Sequence, residues 1–264
     1  MSASNPSTSG LSTFEQWIAA LELRHLANLR LPEVTRALRA LSSAYVQRRH
    51  VVTSGSTLDG AGKRAAFALF YAPLHFLTTQ EVLRAVGTLH HTAVSVVDLG
   101  CGTGAAGAAW ALSAGRAPVL GIDEHPWAAS EATWTYRQLG LVGRARTGDV
   151  ARMPEVREGT AIVAAYVLNE LAAAARESLV LRLIEIASRD PQSQILIIEP
   201  IARSVAPWWD DTARRVQAAG GRADEWTLSL DLPPLVALLD KAAGLNHRQI
   251  KVRSLYLRTA TVGR

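Results

Sequence analysis

The chain carries a single cysteine, Cys101, among 264 residues. One cysteine forms no internal disulfide and builds no multi-cysteine metal site, so no metal is expected. Long apolar runs are missing too. No stretch approaches the roughly 18–20 residues of a membrane span. The Ser-rich start, with Pro6 and Gly10, lacks the basic segment and apolar run of an export signal. These absences predict a cytoplasmic chain with no membrane partner and a disordered head over residues 1–12. Lysine is scarce, at three residues against 25 arginines, and no internal repeat is visible.

What is present is ordinary for a globular protein: 48% hydrophobic and 19% charged residues. The net charge is +5, unevenly spread. Residues 1–92 hold 9 basic against 5 acidic side chains, and residues 93–264 hold 19 against 18. An anionic partner for the N-terminal part is one reading of this excess, and an arginine-rich composition is the other.

That N-terminal part reads as helical over residues 13–92. Phe14, Trp17, Ile18 and Leu21 share a face of a first helix running to Leu29, with Thr13 as its cap. Pro32 opens a second, with Val34, Leu38, Leu41 and Tyr45 inward and Arg36 and Arg39 opposite; Arg48 and Arg49 follow it. A third stretch holds Lys63, Arg64, Phe67 and Tyr71, meets Pro73, continues through His75, and leads to a helix from Thr79 to Leu89. The sequence His90-His91-Thr92 marks the joint.

Beyond it strand and helix patterns alternate, as in a parallel α/β sheet. The organising stretch is Val96-Val97-Asp98-Leu99-Gly100-Cys101-Gly102-Thr103-Gly104. A buried strand stops at Asp98, turns through three glycines and enters a small-residue helix whose free N–H groups face the turn. Gly102, Gly104 and Gly107 also fit the G-x-G-x-x-G spacing of NAD-binding proteins. A carboxylate at Asp98 would repel a pyrophosphate, which favours a ligand presenting a cation there. Further strands are expected at residues 119–122, at 145–148, within 161–171 together with the turn into a helix, and at 194–198. Asp98, Asp123, Asp149 and Glu199 then stand at the carboxyl ends of four strands, the edge where open α/β sheets bind ligands. Asp123 lies 19 residues after Gly104, near the spacing expected of a ribose-binding carboxylate. An antiparallel hairpin of residues 248–253 and 255–262 is expected to close the sheet, after a helix from Leu232 capped by Asp231.

Asp-Leu-Gly-Cys-Gly-Thr-Gly resembles the first motif of the class I S-adenosylmethionine-dependent methyltransferases. The resemblance implies an α/β fold, with a Rossmann-like seven-stranded methyltransferase sheet over residues 93–264 behind the helical region. It implies S-adenosyl-L-methionine as cofactor, held by Asp98, Gly100, Cys101, Gly102, Gly104, Asp123, Glu124, Asp149, Val150 and Tyr166. Asn169 and Glu170, at the mouth of the fourth strand, are candidates near the transfer point. Tyr71 and His75 are candidates for a lid, and Trp208-Trp209 for stacking on a base. Cys101 reads as a small packing residue. No Asn-Pro-Pro-Tyr follows the fourth strand and no second cysteine exists, which disfavours the usual routes to adenine-N6, cytosine-N4 and cytosine-C5 methylation.

A narrower likeness runs through Leu41–Arg49, Gly62–Tyr71, Tyr166–Leu171 and Ile198–Pro200. These segments are similar to the Rsm22 group of methyltransferase-like proteins associated with the small ribosomal subunit, whose iron–sulfur cysteines this chain lacks. RNA, ribosomal RNA first, is accordingly the expected substrate. A small-molecule O- or N-methyltransferase and a non-catalytic cofactor-binding ribosome-assembly factor are the alternatives.

Overall fold

The computed structural model describes residues 12–47, 58–88, 92–201, 206–247 and 249–258. Residues 1–11 of the expected disordered head, Arg48, Arg49 and His90-His91 of the joint lie outside them, while Ser12, counted with the head, is described as a helix cap. Helix α1 (Thr13–His25) is capped by Ser12 rather than Thr13. Ser12 and Glu15 exchange side-chain and backbone hydrogen bonds, which satisfies two otherwise orphan donors at the helix start. Its face of Trp17, Ile18 and Leu21 is buried, as are Val34, Leu38 and Leu41 of α2 (Leu31–Gln47). Helix α3 (Ala61–Ala66) runs through a π-helical turn, Phe67–Tyr71, into α4 (Ala72–Val86). Gly87, at φ +83°, ends α4 three residues after Arg84, so the helix expected from Thr79 is the second half of a longer one.

A seven-stranded sheet has the order β3-β2-β1-β4-β5-β7-β6. Strands β1 (Ser95–Leu99), β2 (Val119–Asp123), β3 (Gly143–Thr147), β4 (Thr160–Ala165) and β5 (Gln194–Pro200) are parallel. The helices between them are α5 (Ala105–Ser113), α6 (Pro126–Gln138) and α7 (Ala173–Arg189). Helix α8 (Trp209–Ala218) precedes β6 (Arg222–Ser229), and α9 (Pro234–Ala243) precedes β7 (Gln249–Leu257).

Alternation along the strands sorts the core into two layers. Val96, Val163, Leu196 and Val252 meet α5 and the N-terminal helices, Trp17, Leu38 and Phe70 among them. Val97, Leu99, Ile162 and Ile197 meet α7 and α8 through Leu179, Leu183 and Trp209. The N-terminal helices therefore share one core with the sheet.

Two expectations about the far edge fail. Residues 249–257 form one strand, not two, because Ser254 does not break it: its buried hydroxyl accepts a 2.8 Å hydrogen bond from Trp226 Nε1. The strand pairs antiparallel with β5 on one side and with β6 on the other, and no residue of β6 is fully buried. Helix α9 starts at Pro234, after Pro233, so Asp231 does not cap it.

Candidate functional site

Strand β1 continues through Asp98 to Leu99, and that extra length sets the position of the acid. Asp98 is only 1% exposed and sits beneath the turn, where Oδ2 accepts a 2.8 Å bond from Gly107 N in the first turn of α5. The sequence reading set this carboxylate in the cradle; the structure makes it a brace under it. Burial pushes its pKa up to about 7, opposed by the Gly107 amide. A Cβ on Gly107 would stand 2.7 Å from Asp98 Oδ2, so glycine is what permits the approach.

Above the brace, Gly100, Gly102 and Gly104 all have positive φ, at 65°, 51° and 83°. A side chain on Gly100 would meet Val167 at 2.2 Å, and one on Gly104 would meet Tyr136 at 2.7 Å. Cys101 is buried beside them, and burial raises its thiol well above the ordinary range, which leaves it protonated and inert.

Asp123, at the end of β2, ties the loop to the next strand. Oδ2 accepts from Gly102 N and Oδ1 from His125 N, each at 2.8 Å. A carboxylate offers about four lone-pair sites, so two remain for a ligand diol. Glu124 beside it is exposed. Asp149 is exposed after β3, its Oδ1 accepting from Ala151 N at 2.8 Å, while Val150 is buried.

The end of β4 brings in the helical region. Tyr166 has φ +61°, unusual for a side chain of its size, and its N–H is held by Ile198 O at 2.8 Å. His75 of α4 stacks on its ring, with centroids 4.2 Å apart. Tyr71 lies 5.9 Å from His75 and 5.8 Å from Phe67. The Phe67 ring in turn rests against Gly102, 3.4 Å from where a Cβ would stand. The π turn and the first turn of α4 thus lay an aromatic roof, Phe67, Tyr71 and His75, over the glycine loop and Tyr166. π turns recur at functional sites because the extra residue re-aims side chains. Burial, then neighbouring His247, pushes the His75 imidazole down to about 4, so it is neutral at pH 7. Burial pushes the Tyr71 phenol up to about 12.

Asn169 is engaged at both ends. Its Nδ2 donates to Glu199 Oε2, and its Oδ1 accepts from Trp208 Nε1 at 3.1 Å. Glu199, fully buried at the end of β5, also accepts from Leu168 N at 2.8 Å. Burial pushes Glu199 up to about 8 against these amides. The Arg176 guanidinium covers the Trp208 ring at 4.9 Å, and Arg253 covers Trp209 at 4.3 Å. Asn169 and Trp208 are therefore parts of one hydrogen-bonded wall, and Glu170 is exposed beside it. The sequence reading missed Arg176 and Arg253, which act on Trp208 and Trp209 far along the chain, and the pair Asp240–His247, which is local in sequence but reaches this edge only through the fold.

No protein-family model and no curated protein matches the chain. Solved structures do. The mitomycin 7-O-methyltransferase MmcR is 17% identical with a TM-score of 0.52, the match covering 98% of this chain and 76% of that one. A protein of Nostoc punctiforme, provisionally named an O-methyltransferase, is 16% identical with a TM-score of 0.51, covering 89% and 71%. With its seven-stranded sheet, its glycine loop and its helical region in front, the chain has the Rossmann-like fold of the S-adenosylmethionine-dependent methyltransferases.

Proposed function

We propose that the protein is an S-adenosylmethionine-dependent methyltransferase acting on a small molecule that carries a hydroxyl or amine. The carrying observation is the aromatic roof. Phe67, Tyr71 and His75 lie over the glycine loop and Tyr166 at the carboxyl edge of the sheet.

The residues present fit the cofactor. The backbone of Gly100–Gly104 suits its methionine portion, and Tyr166 stands beside that end. Asp123 retains lone pairs for the ribose hydroxyls, and Asp149 with Val150 suits the adenine. The bound cofactor would supply a methyl group on a sulfonium, open to in-line displacement. The chain's own part is orientation and exclusion of water.

RNA, including the ribosomal RNA suggested by the likeness to the Rsm22 group, is the second reading. The net charge of +5 and exposed Arg144 and Arg146 on edge strand β3 favour it. The N-terminal basic track supports it less than its charge count implies. Arg39 donates to the Ala242 carbonyl at the end of α9, and Arg64 donates to Leu58 O at 2.9 Å and lies over Trp127. An assembly factor that binds the cofactor without turnover is the third.

Calorimetry with S-adenosylhomocysteine tests the cofactor assignment. Radiolabelled methyl transfer to a panel of phenols and amines, against total RNA and small ribosomal subunits, tests the acceptor. Label in RNA alone reverses the order of the first two readings. Cofactor binding without label in any fraction favours the third.

A further inference from the structure

A histidine outside the sequence-derived candidates stands at the same edge of the sheet. Strand β7 runs antiparallel to β5, with Val252 opposite Pro200, so the chain entering β7 arrives at the carboxyl end of β5. His247, two residues before Gln249, is therefore on the side of the glycine loop and Tyr166. Its ring meets Phe70 of the π turn edge to face, with centroids 5.3 Å apart. It is also close enough to His75 to act on that group's ionisation.

His247 is built as an oriented imidazole. Nδ1 lies 2.6 Å from Asp240 Oδ1, and the His247 backbone N–H donates to Asp240 Oδ2 at 3.1 Å. The Asp240 carboxyl is 9% exposed and the His247 side chain 29%. A carboxylate accepting at Nδ1 fixes the proton there and leaves the Nε2 lone pair outward. Among the described residues, no hydrogen-bond partner of Nε2 is found. The turn after α9 does not require the side-chain pair, since Leu245 N already holds the Asp240 carbonyl at 2.9 Å.

We infer that His247, oriented by Asp240, is the general base that takes the proton from the hydroxyl or amine of the methyl acceptor. This rests on the methyltransferase reading. The O–H or N–H proton passes to Nε2, and its electron pair stays on the acceptor atom. That atom bonds to the methyl carbon as the C–S pair leaves with sulfur, giving the thioether. The imidazolium so formed is balanced by the Asp240 carboxylate on its other nitrogen. His75 is the poorer base, its imidazole being pushed down to about 4 by burial and committed to the Tyr166 stack. The charged and titratable groups around His247 are Asp240 of α9 and His75 of α4, with the Phe70 ring of the π turn between the helical region and the imidazole. The half-buried rings of Phe67 and Tyr71, both against His75, suit a planar acceptor, so the substrate class is a phenol or aromatic amine.

Two measurements on the full chain test this. In the first, ring-nitrogen NMR of ¹⁵N-histidine-labelled protein saturated with S-adenosylhomocysteine reads the tautomer directly. The expected state of His247 is Nδ1–H with an unprotonated Nε2, redistributed in Asp240→Asn. In the second, methyl transfer is followed with a panel of phenols and anilines of graded acidity. His247→Gln is expected to lose about 100-fold or more on the least acidic phenols and progressively less on those ionised at the assay pH, with S-adenosylhomocysteine affinity unchanged. Asp240→Asn should lose activity in the same acidity-dependent pattern. An Nε2–H tautomer in the wild type overturns the inference, as does an equal loss across the panel or a wild type that methylates none of it. Absence of S-adenosylhomocysteine binding would instead remove the methyltransferase reading itself.

Discussion

The His75 imidazole and the Tyr166 phenol lie nearly parallel, 4.2 Å apart with planes at 23°. One ring comes from the helical region and the other from the end of a central strand, held there at a backbone angle that disfavours a bulky residue. The stack is the contact through which the roof grips the sheet edge. Aromatic pairs contribute about 0.5–1.5 kcal/mol beyond buried area, so His75→Ala should cost about 1 kcal/mol more than His75→Phe, which keeps the stack. Urea unfolding of both variants measures the difference. Equal stability would mean that the rings touch without holding the roof.

The Asp98–Gly107 contact predicts a sharper effect. With Oδ2 already 2.8 Å from Gly107 N, an alanine there meets the same oxygen at 2.7 Å. Gly107→Ala should destabilise the protein by about 1–3 kcal/mol, the usual range for overpacking. It should also weaken S-adenosylhomocysteine binding, because relief requires moving the loop. Calorimetry and thermal melts on one preparation check both.

Asp123→Ala removes the acceptor for Gly102 N and His125 N as well as the proposed ribose contact. S-adenosylhomocysteine affinity should fall by about 1–3 kcal/mol, roughly 5- to 150-fold. Binding of NAD by the wild type, with no heat from S-adenosylhomocysteine, would return the glycine loop to the dinucleotide reading that its spacing also allows.

The pH dependence of stability carries its own signature. Asp98 and Glu199 are raised from 3.8 and 4.5 to about 7 and about 8, so in the range between they bind protons when folded and not when unfolded. Their stabilisation is fully present below the unfolded values and is lost as pH rises through the folded ones. His75 runs the other way: lowered from 6.5 to about 4, it favours the folded state above 6.5 and loses that contribution as pH falls towards 4. Two groups outweigh one below pH 6.5, and above it only the carboxyls act. The melting temperature should therefore fall as pH rises, most steeply just above 6.5 where His75 no longer opposes both carboxyls, and Asp98→Asn should flatten the part between its unfolded value of 3.8 and about 7. A melting temperature that climbs from pH 6.5 to 8.5 would reverse this assignment.

How far the sequence alone reaches depends on the kind of signal. Strands β1, β2, β4 and β5 are short apolar runs ending in acids or glycines, and their order of appearance is what a parallel sheet requires. Strand β6 was not legible. Its residues Arg222 to Ser229 are half-covered on one face and exposed on the other, so no apolar run announces them. Strand β7 was legible in composition but cut at Ser254, whose partner Trp226 is 28 residues away. In the site, the glycine turn and Asp123 could be located because local spacing carries them. The position of Asp98 depended on one extra strand residue. The pairing of Asp240 with His247 spans the end of a helix, and only its topology brings it to the ligand edge.

Glu131 is the clearest contact that spacing could not supply. This α6 residue is 1% exposed at its side chain and receives Arg24 through Nε and Nη2 at 3.1 Å and His25 Nε2 at 2.7 Å, both from α1 more than 100 residues earlier. Arg24 also lies over the Trp134 ring at 4.8 Å, so the pair fastens the first helix to the sheet layer. Burial raises the Glu131 pKa, but the hydrogen bonds and charges of His25 and Arg24 outweigh it and hold the carboxyl below its ordinary value of 4.5. A depressed carboxyl stabilises the fold above its unfolded pKa and loses that contribution as pH falls through the folded one. Glu131→Ala should cost about 3 kcal/mol at pH 7, because the half-exposed Arg24 can rejoin water but the more buried His25 loses its partner. Glu131→Gln should cost less, since its amide oxygen still accepts, and should lack the acid-labile component below pH 4.5. Urea titrations of the three proteins at pH 7 and pH 4 measure both effects. A Glu131→Ala variant within about 0.5 kcal/mol of wild type at pH 7 would show that α1 is held by Trp17, Ile18 and Leu21 alone.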